Sequence, residues 1–83
     1  MTITGDVQGV FFRDTCRRIA TGSGVAGWIR NCADGQVEAW FEGPAAPVDR
    51  LVDWCRQGPA GAQVSSVEVL NEEPSGVAGF RIR

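Results

Sequence analysis

One loop of this sequence, running from Val7 to Arg13 into a predicted helix, has the residue types and spacing to bind an anion. The first N–H groups of a helix have no partner inside it and together carry about half a positive charge. Gly9 lets the backbone approach a bound group closely, and Arg13 can offer two hydrogen bonds to one phosphate. Glycine-containing loops before helices are common, so these residues alone leave open a plain connection with a solvated arginine.

The residue types that are missing narrow the chemistry further. The 83 residues include no histidine and no lysine, and all eight cationic side chains are arginines. Without histidine there is no imidazole base and no histidine-ligated metal. Without lysine there is no Schiff base and no phosphate-loop lysine. Catalysis therefore has to use arginine, carboxylate, amide, hydroxyl or thiol groups, backbone N–H groups or water.

The three cysteines, Cys16, Cys32 and Cys55, are too few and too widely spaced for a disulfide framework or a zinc site. Cys16 and Cys55 fall on predicted apolar helix faces, where cysteine behaves as a small hydrophobic residue. Cysteine-dependent phosphatases carry an arginine six positions after the nucleophile, and those positions here hold Gly22, Glu38 and Gly61. We expect structural cysteines rather than redox or catalytic ones.

The length indicates one small domain over residues 1–83. No run approaches the ~18 apolar residues of a membrane span, and the first ten residues lack the basic and apolar regions of a secretory signal. The net charge of -2 argues against general binding of nucleic acid, which requires a basic surface. We therefore expect a cytoplasmic protein without a membrane or nucleic-acid partner.

Hydrophobic periodicity and turn residues predict two helices and five strands. The strands are expected at 2–4, 25–31, 36–42, 64–72 and 80–83, and the helices at about 11–21 and 47–57. Pro47 suits a first helical position, and Gly5 is expected to end the first strand. An ion pair between Asp14 and Arg18 is expected on the first helix because the two are four residues apart.

Side-chain parity selects the register of the hairpin formed by the second and third strands. A two-residue loop would pair Ile29 with Trp40 and mix apolar and polar faces. A three-residue loop over 33–35 pairs Arg30 with Glu38 and Trp28 with Trp40, and keeps both faces consistent. Gly35 supplies the left-handed residue that this loop requires. We therefore predict the three-residue loop.

The element order β-α-β-β-α-β, followed by a terminal edge strand, predicts an α+β sandwich. Right-handed crossovers place both helices on one face of the sheet. This is the ferredoxin-like arrangement, for which we expect an antiparallel sheet with two helices on one face. The fold hosts many functions, so it does not identify one by itself.

Two segments resemble the signatures of the acylphosphatase family. Residues 3–13 (ITGDVQGVFFR) resemble the first signature, and residues 27–31 (GWIRN) with 35–37 (GQV) and Gly43 resemble the second. The resemblance continues through 54–55 (WC), 58–60 (GPA) and 80–83 (FRIR), and so covers essentially the whole chain. It implies the ferredoxin-like fold and hydrolysis of a small-molecule acyl phosphate, with no metal and no cofactor. We also expect the chain to act as a monomer.

The resemblance also implies roles for individual residues. Arg13 corresponds to the phosphate-binding residue, and Asn31 to the residue that orients the attacking water. On its own, Asn31 at a strand end would rather be a turn-capping residue. The phosphate cradle corresponds to the backbone of Gln8, Gly9, Val10, Phe11 and Phe12.

The chain departs from the family pattern in two respects. Its first strand is shorter than family members usually carry, which bears on stability more than on activity because that strand should lie inside the sheet. Asp6 stands at a variable position that is often basic in the family. We expect this carboxylate to weaken phosphate binding, by an amount set by exposure and screening.

RNA binding is one alternative function. A ferredoxin-like sheet can bind single-stranded RNA through exposed aromatic residues, and Trp28 and Trp40 are predicted side by side on the face without helices. The same pair would equally pack together across the strands or lie beneath arginine and glutamate stems. The net charge of -2 weighs against RNA.

A second alternative is the acylphosphatase-like module of hydrogenase maturation proteins. That module would be followed by the cysteine pairs of zinc fingers, and the sequence contains none. The apolar face of the second helix, with Trp54 beside it, is expected to be core rather than a surface that binds a partner.

Overall fold

A computed structural model describes residues 1–83 as two helices packed on a five-stranded sheet. The sheet order is β4-β1-β3-β2-β5. The helices are 12 and 13 residues long, and neither is long and apolar enough to cross a membrane. In chain order the elements are β1 (Thr2–Asp6), α1 (Phe12–Ser23), β2 (Ala26–Asn31), β3 (Val37–Glu42), α2 (Ala45–Gln57), β4 (Gln63–Glu68) and β5 (Phe80–Ile82).

Both helices cover the same face of the sheet, as predicted. Ile3 lies opposite Val37 on neighbouring strands, so the two side chains share one face. The rings of Phe12 on α1 and Trp54 on α2 are 5.1 Å apart and join the two helices. The core formed by this packing consists of Ile3, Val7, Phe12, Cys16, Ala20, Val25, Ile29, Val37, Ala39, Leu51 and Cys55.

The predicted hairpin register is confirmed. Arg30 pairs with Glu38 and Trp28 with Trp40. The N–H of Cys32 donates to the carbonyl of Gln36 at 2.8 Å. The loop therefore comprises the three residues 33–35, and its last residue is a glycine with φ 90°. This loop places the end of β2, with Asn31, beside the start of α1.

The expectation of a purely antiparallel sheet is wrong at one strand. β5 runs parallel to β2, with Gly27 opposite Phe80 and Ile29 opposite Ile82. β4 and β2 point in opposite directions at the two sides of the sheet, and the chain turns back once between β4 and β5. β5 therefore arrives pointing the same way as β2. The α+β class and the placement of both helices are unaffected.

The expectation that Gly5 ends the first strand is also wrong, because β1 continues to Asp6. The register to β4 shifts between Thr4 and Gly5, and Gly5 has φ 136°. A side chain at this position would overlap the backbone carbonyl of Gln63. Gly5 therefore serves a close approach of two strands rather than a strand break.

Three further element boundaries differ from the prediction by two residues or more. α1 continues to Ser23 rather than ending at residue 21, and Gly24 provides its left-handed C-cap. β4 ends at Glu68 rather than at residue 72, because its last pairing is with Thr2 and no further β1 residue pairs with it. α2 begins at Ala45, two residues before Pro47. Pro47 is tolerated there because the first N–H groups of a helix have no intrahelical partner.

The face of the sheet without helices carries the two paired tryptophans. The guanidinium of Arg83 lies over the Trp28 ring at 4.5 Å from its centroid, and the indole N–H of Trp40 donates to the Glu42 carboxylate. The next cross-strand pair on this face, Arg30 and Glu38, forms an ion pair of 2.6 Å. Both rings therefore have partners within the chain, which is the packing alternative considered above.

The carboxylate of Glu42 also fixes the segment that leads to β5. It accepts hydrogen bonds from the hydroxyl of Ser75 (2.6 Å), the N–H of Ser75 (3.0 Å) and the N–H of Gly76 (3.0 Å). These bonds and the one from Trp40 lower the pKa of Glu42 from 4.5 to about 2, with the Ser75 hydroxyl the largest cause. A half-buried carboxylate thus joins residues 74–76 to β3.

We expect Glu42→Gln to reduce the loss of stability on acidification. A carboxyl whose pKa is lowered by folding stabilises the native state above its unfolded pKa, here 4.5, and loses that contribution as the pH falls towards about 2. Chemical unfolding measured from pH 6 to pH 2 should show a shallower decline for the variant than for the parent chain. Glu72→Gln, in the neighbouring exposed segment, is the matched control and should retain the parent slope. Parallel curves for Glu42→Gln and the parent chain would contradict this assignment.

Candidate active site

The loop between β1 and α1 is held by alternate anchoring of its side chains. Val7 and Phe12 are buried in the core, and Val10 packs against it. Gly9 is exposed with φ 75°, and a side chain there would meet nothing within 4 Å. This alternation keeps the loop in place while its backbone stays accessible from solvent.

The start of α1 leaves backbone N–H groups unpaired. The N-cap residue, Phe11, provides no side-chain hydrogen bond to the first turn, and the N–H of Thr15 is the donor to the Phe11 carbonyl, at 3.1 Å. The N–H groups that precede Thr15 in this turn thus have no acceptor within the helix. Together with the helix dipole, they make this turn suited to an anion.

Arg13 projects from this turn without a carboxylate partner. It is partly buried, and none of the four ion pairs of the structure involves it. Its neighbour Asp14 instead pairs with Arg17 at 3.4 Å and Arg18 at 3.2 Å, the latter as predicted. The guanidinium of Arg13 is therefore free to bind an external anion bidentately.

Asn31 ends β2 with an orphaned acceptor. Its side-chain oxygen Oδ1 is buried and accepts no hydrogen bond from the chain. Buried polar atoms are nearly always paired with protein or water, so an unpaired one calls for a partner from outside the chain.

A cleft of about 280 Å³ brings these predicted residues together. Arg13 and Asn31 both line it, although they lie on different elements. Among the cradle residues, Gly9, Phe11 and Phe12 line it too, while Gln8 and Val10 belong to the same loop without lining the cleft. Its remaining lining residues are Val7, Asp14 and Ile82.

The side chain of Gln8 is a feature that the sequence analysis missed. Its amide Nε2 donates to the carbonyls of Cys32 and Gln36, both at 2.9 Å. The side chain of Gln36 in turn donates to the hydroxyl of Thr4 at 3.1 Å. Gln8 thereby ties the cradle loop to the hairpin turn that follows Asn31. The signal available in the sequence was that Gln8 is the one polar side chain between Val7 and Val10.

Asp6 lies at the end of β1, where it is exposed and does not line the cleft. Its charge is therefore surrounded by water and counterions rather than directed into the site. Screening between exposed charges reduces its influence on a bound anion. The expected weakening of phosphate binding is correspondingly small.

Comparison with known proteins identifies the family. A family model described as Acylphosphatase matches residues 1–82. The chain belongs to the acylphosphatase family. An acylphosphatase of Gloeobacter violaceus is 54% identical over 80 residues, covering 96% of this chain and 86% of that relative. One of Rubrobacter xylanophilus is 56% identical over 82 residues, covering 98% and 74%.

A solved structure of the family shares the fold. The crystal structure of acylphosphatase from Bacillus subtilis matches with a TM-score of 0.93 and 31% identity, covering 99% of this chain and 92% of that one. The family assignment made from the two sequence signatures and the α+β fold class are therefore confirmed. The cleft between α1 and the β2–β3 turn is therefore the candidate active site.

Proposed function

We propose that this chain hydrolyses the carboxyl–phosphate bond of small acyl phosphates, giving a carboxylate and inorganic phosphate without a metal. Arg13 and Asn31 are the catalytic residues, and the backbone of residues 8–12 is the phosphate cradle. The observation that carries the proposal is the meeting, in one cleft, of a free guanidinium, a helix N-terminus and an orphaned amide oxygen.

The leaving group explains why the missing histidine and lysine are no obstacle. In R–CO–O–PO₃²⁻ the departing carboxylate has a conjugate acid with a pKa of about 4. It leaves as an anion at neutral pH, so no general acid is required. The loose phosphoryl transition state spreads charge over its equatorial oxygens, and binding of those oxygens supplies most of the catalysis. Arg13 and the N–H groups of the cradle are placed to bind them.

Asn31 positions the nucleophile. Its Oδ1 accepts a hydrogen bond from one water, and this leaves a lone pair of that water directed at phosphorus. The new P–O bond forms as the bond from phosphorus to the acyl oxygen breaks, and the electron pair of that bond leaves with the carboxylate. The proton of the water passes to a phosphate oxygen, since the one carboxylate that lines the cleft, Asp14, is paired with Arg17 and Arg18.

Hydrolysis of acetyl phosphate by the purified chain tests the proposal. We expect release of acetate and inorganic phosphate at a rate that a chelator leaves within about twofold, because neither the leaving group nor the charge on phosphate depends on a metal in this mechanism. A phosphomonoester such as p-nitrophenyl phosphate is the control substrate, and its poorer leaving group should make it far slower. Loss of the rate with chelator, or equal rates for the two substrates, would contradict the mechanism.

Four expectations from the sequence analysis are part of this proposal. The chain is a single domain over residues 1–83, acts as a monomer, and resides in the cytoplasm without a nucleic-acid partner. Size-exclusion chromatography with light scattering, at the concentration used for activity assays, tests the oligomeric state.

A further inference from the structure

The most exposed large hydrophobic side chain of the protein stands at the mouth of the candidate active site. Phe11 is 78% exposed and lines the same cleft as Arg13 and Asn31. Ile82 of β5, 38% exposed, lines that cleft as well. Apolar side chains that stay exposed beside a polar cleft are typical of ligand contact.

The backbone keeps Phe11 out of the core. The residue has φ 61° and ψ 24°, a left-handed conformation. All other residues with positive φ in this chain are glycines. Its neighbour Phe12 is buried, whereas the aromatic pairs of the structure, Phe12–Trp54 and Phe41–Phe80, leave Phe11 without an aromatic partner. The ring thus stands exposed at the cleft without an aromatic partner, a position that points to a role in ligand contact.

The charges of the cleft indicate what kind of group this ring meets. Arg13 is the one cationic side chain that lines the cleft, and in the proposed function it binds the phosphate. The other charged lining residue, Asp14, is an anion. No cation is therefore left to pair with a second carboxylate on the acyl group, while two apolar side chains remain at the rim.

We infer that Phe11 and Ile82 form an acyl-binding shelf that makes the enzyme prefer acyl phosphates with neutral, apolar acyl groups, aromatic ones above all, over acetyl phosphate. This inference rests on the proposed function, because the shelf acts on the group attached to a phosphate that Arg13 binds. A flat acyl group stacks on the Phe11 ring and covers apolar surface that water otherwise contacts.

The test compares kcat/KM for benzoyl phosphate and for acetyl phosphate within each protein. The ratio of the two values cancels any damage to the phosphate cradle, since both substrates share the phosphate. We expect Phe11→Ala to lower the benzoyl-to-acetyl ratio by about fivefold to tenfold, and Ile82→Ala to lower it by a smaller factor. Phe11→Trp, which keeps an aromatic surface, should restore the ratio.

Leu70→Ala is the matched control, because Leu70 is 68% exposed but does not line the cleft. Its ratio and its rates should equal those of the parent chain. The inference is wrong if the benzoyl-to-acetyl ratio of Phe11→Ala lies within twofold of the parent value. It is also wrong if this ratio changes no more in Phe11→Ala than in Leu70→Ala. If the parent chain hydrolyses neither substrate, the proposed function itself fails, so the two failures are distinguishable.

Discussion

Replacement of Arg13 by alanine is expected to abolish measurable binding of inorganic phosphate and to lower kcat/KM for acetyl phosphate by about a thousandfold or more. Arg13 is the sole cation lining the cleft, and no carboxylate of the chain neutralises it. Its removal leaves the phosphate with backbone N–H groups alone. Competitive inhibition by phosphate and steady-state kinetics on acetyl phosphate measure the two effects.

The controls for Arg13 separate charge from geometry. Arg13→Lys keeps the charge but loses the planar fork, so we expect intermediate binding. Arg18→Ala removes an exposed arginine from the same helix, and Asp14 keeps Arg17 as its partner. This variant should behave like the parent chain. If Arg13→Ala retains the phosphate affinity of the parent, the assignment of Arg13 is wrong.

Asn31→Ala should have a large effect on turnover and a small effect on binding. We expect kcat to fall by about a hundredfold or more, because a water held in line is lost. The inhibition constant for phosphate should change by less than about threefold, since Asn31 does not bind the phosphate in this mechanism. A loss that is mainly in phosphate binding would mean that Asn31 does not position the water.

The stability of Asn31→Ala provides an independent readout. Because Oδ1 accepts no hydrogen bond from the chain, removing it breaks none at that atom, and it relieves a buried unpaired acceptor. We therefore expect the free energy of unfolding to stay level or to rise. Asn71→Ala, at an exposed position outside this cleft, is the matched control for both measurements. A strongly destabilised Asn31→Ala would instead indicate a structural role.

The features that sequence patterns predicted well are those governed by local periodicity. The register of the β2–β3 hairpin followed from side-chain parity, since a slip by one residue would have moved Trp28 and Trp40 to opposite faces. The assignment of Arg13 and Asn31 to one site followed from the family signatures. Residues near one another in sequence, or paired by an obligatory alternation, carry this information in their spacing.

The features that were missed depend on contacts between distant segments. The direction of β5 depends on how residues 69–79 cross the molecule, and that path has no periodic pattern. The place of Ile82 in the cleft depends on the same path. At Gly5, a backbone carbonyl of β4 comes so close to β1 that no side chain would fit there. The sequence alone does not show whether a glycine serves such a close approach or a turn. These results depend on tertiary packing rather than on local preference.

The two hydrogen bonds from Gln8 have a consequence for how the active site responds to its solution. They join segments 24 and 28 residues apart with an uncharged amide and two backbone carbonyls. Salt does not screen such bonds as it screens an ion pair, and no proton is gained or lost at either end. These two bonds therefore add no dependence on ionic strength or pH to the distance between the loop of residues 8–12 and Asn31. Any salt dependence of catalysis then reports on the guanidinium and the phosphate, rather than on a distortion of the cleft.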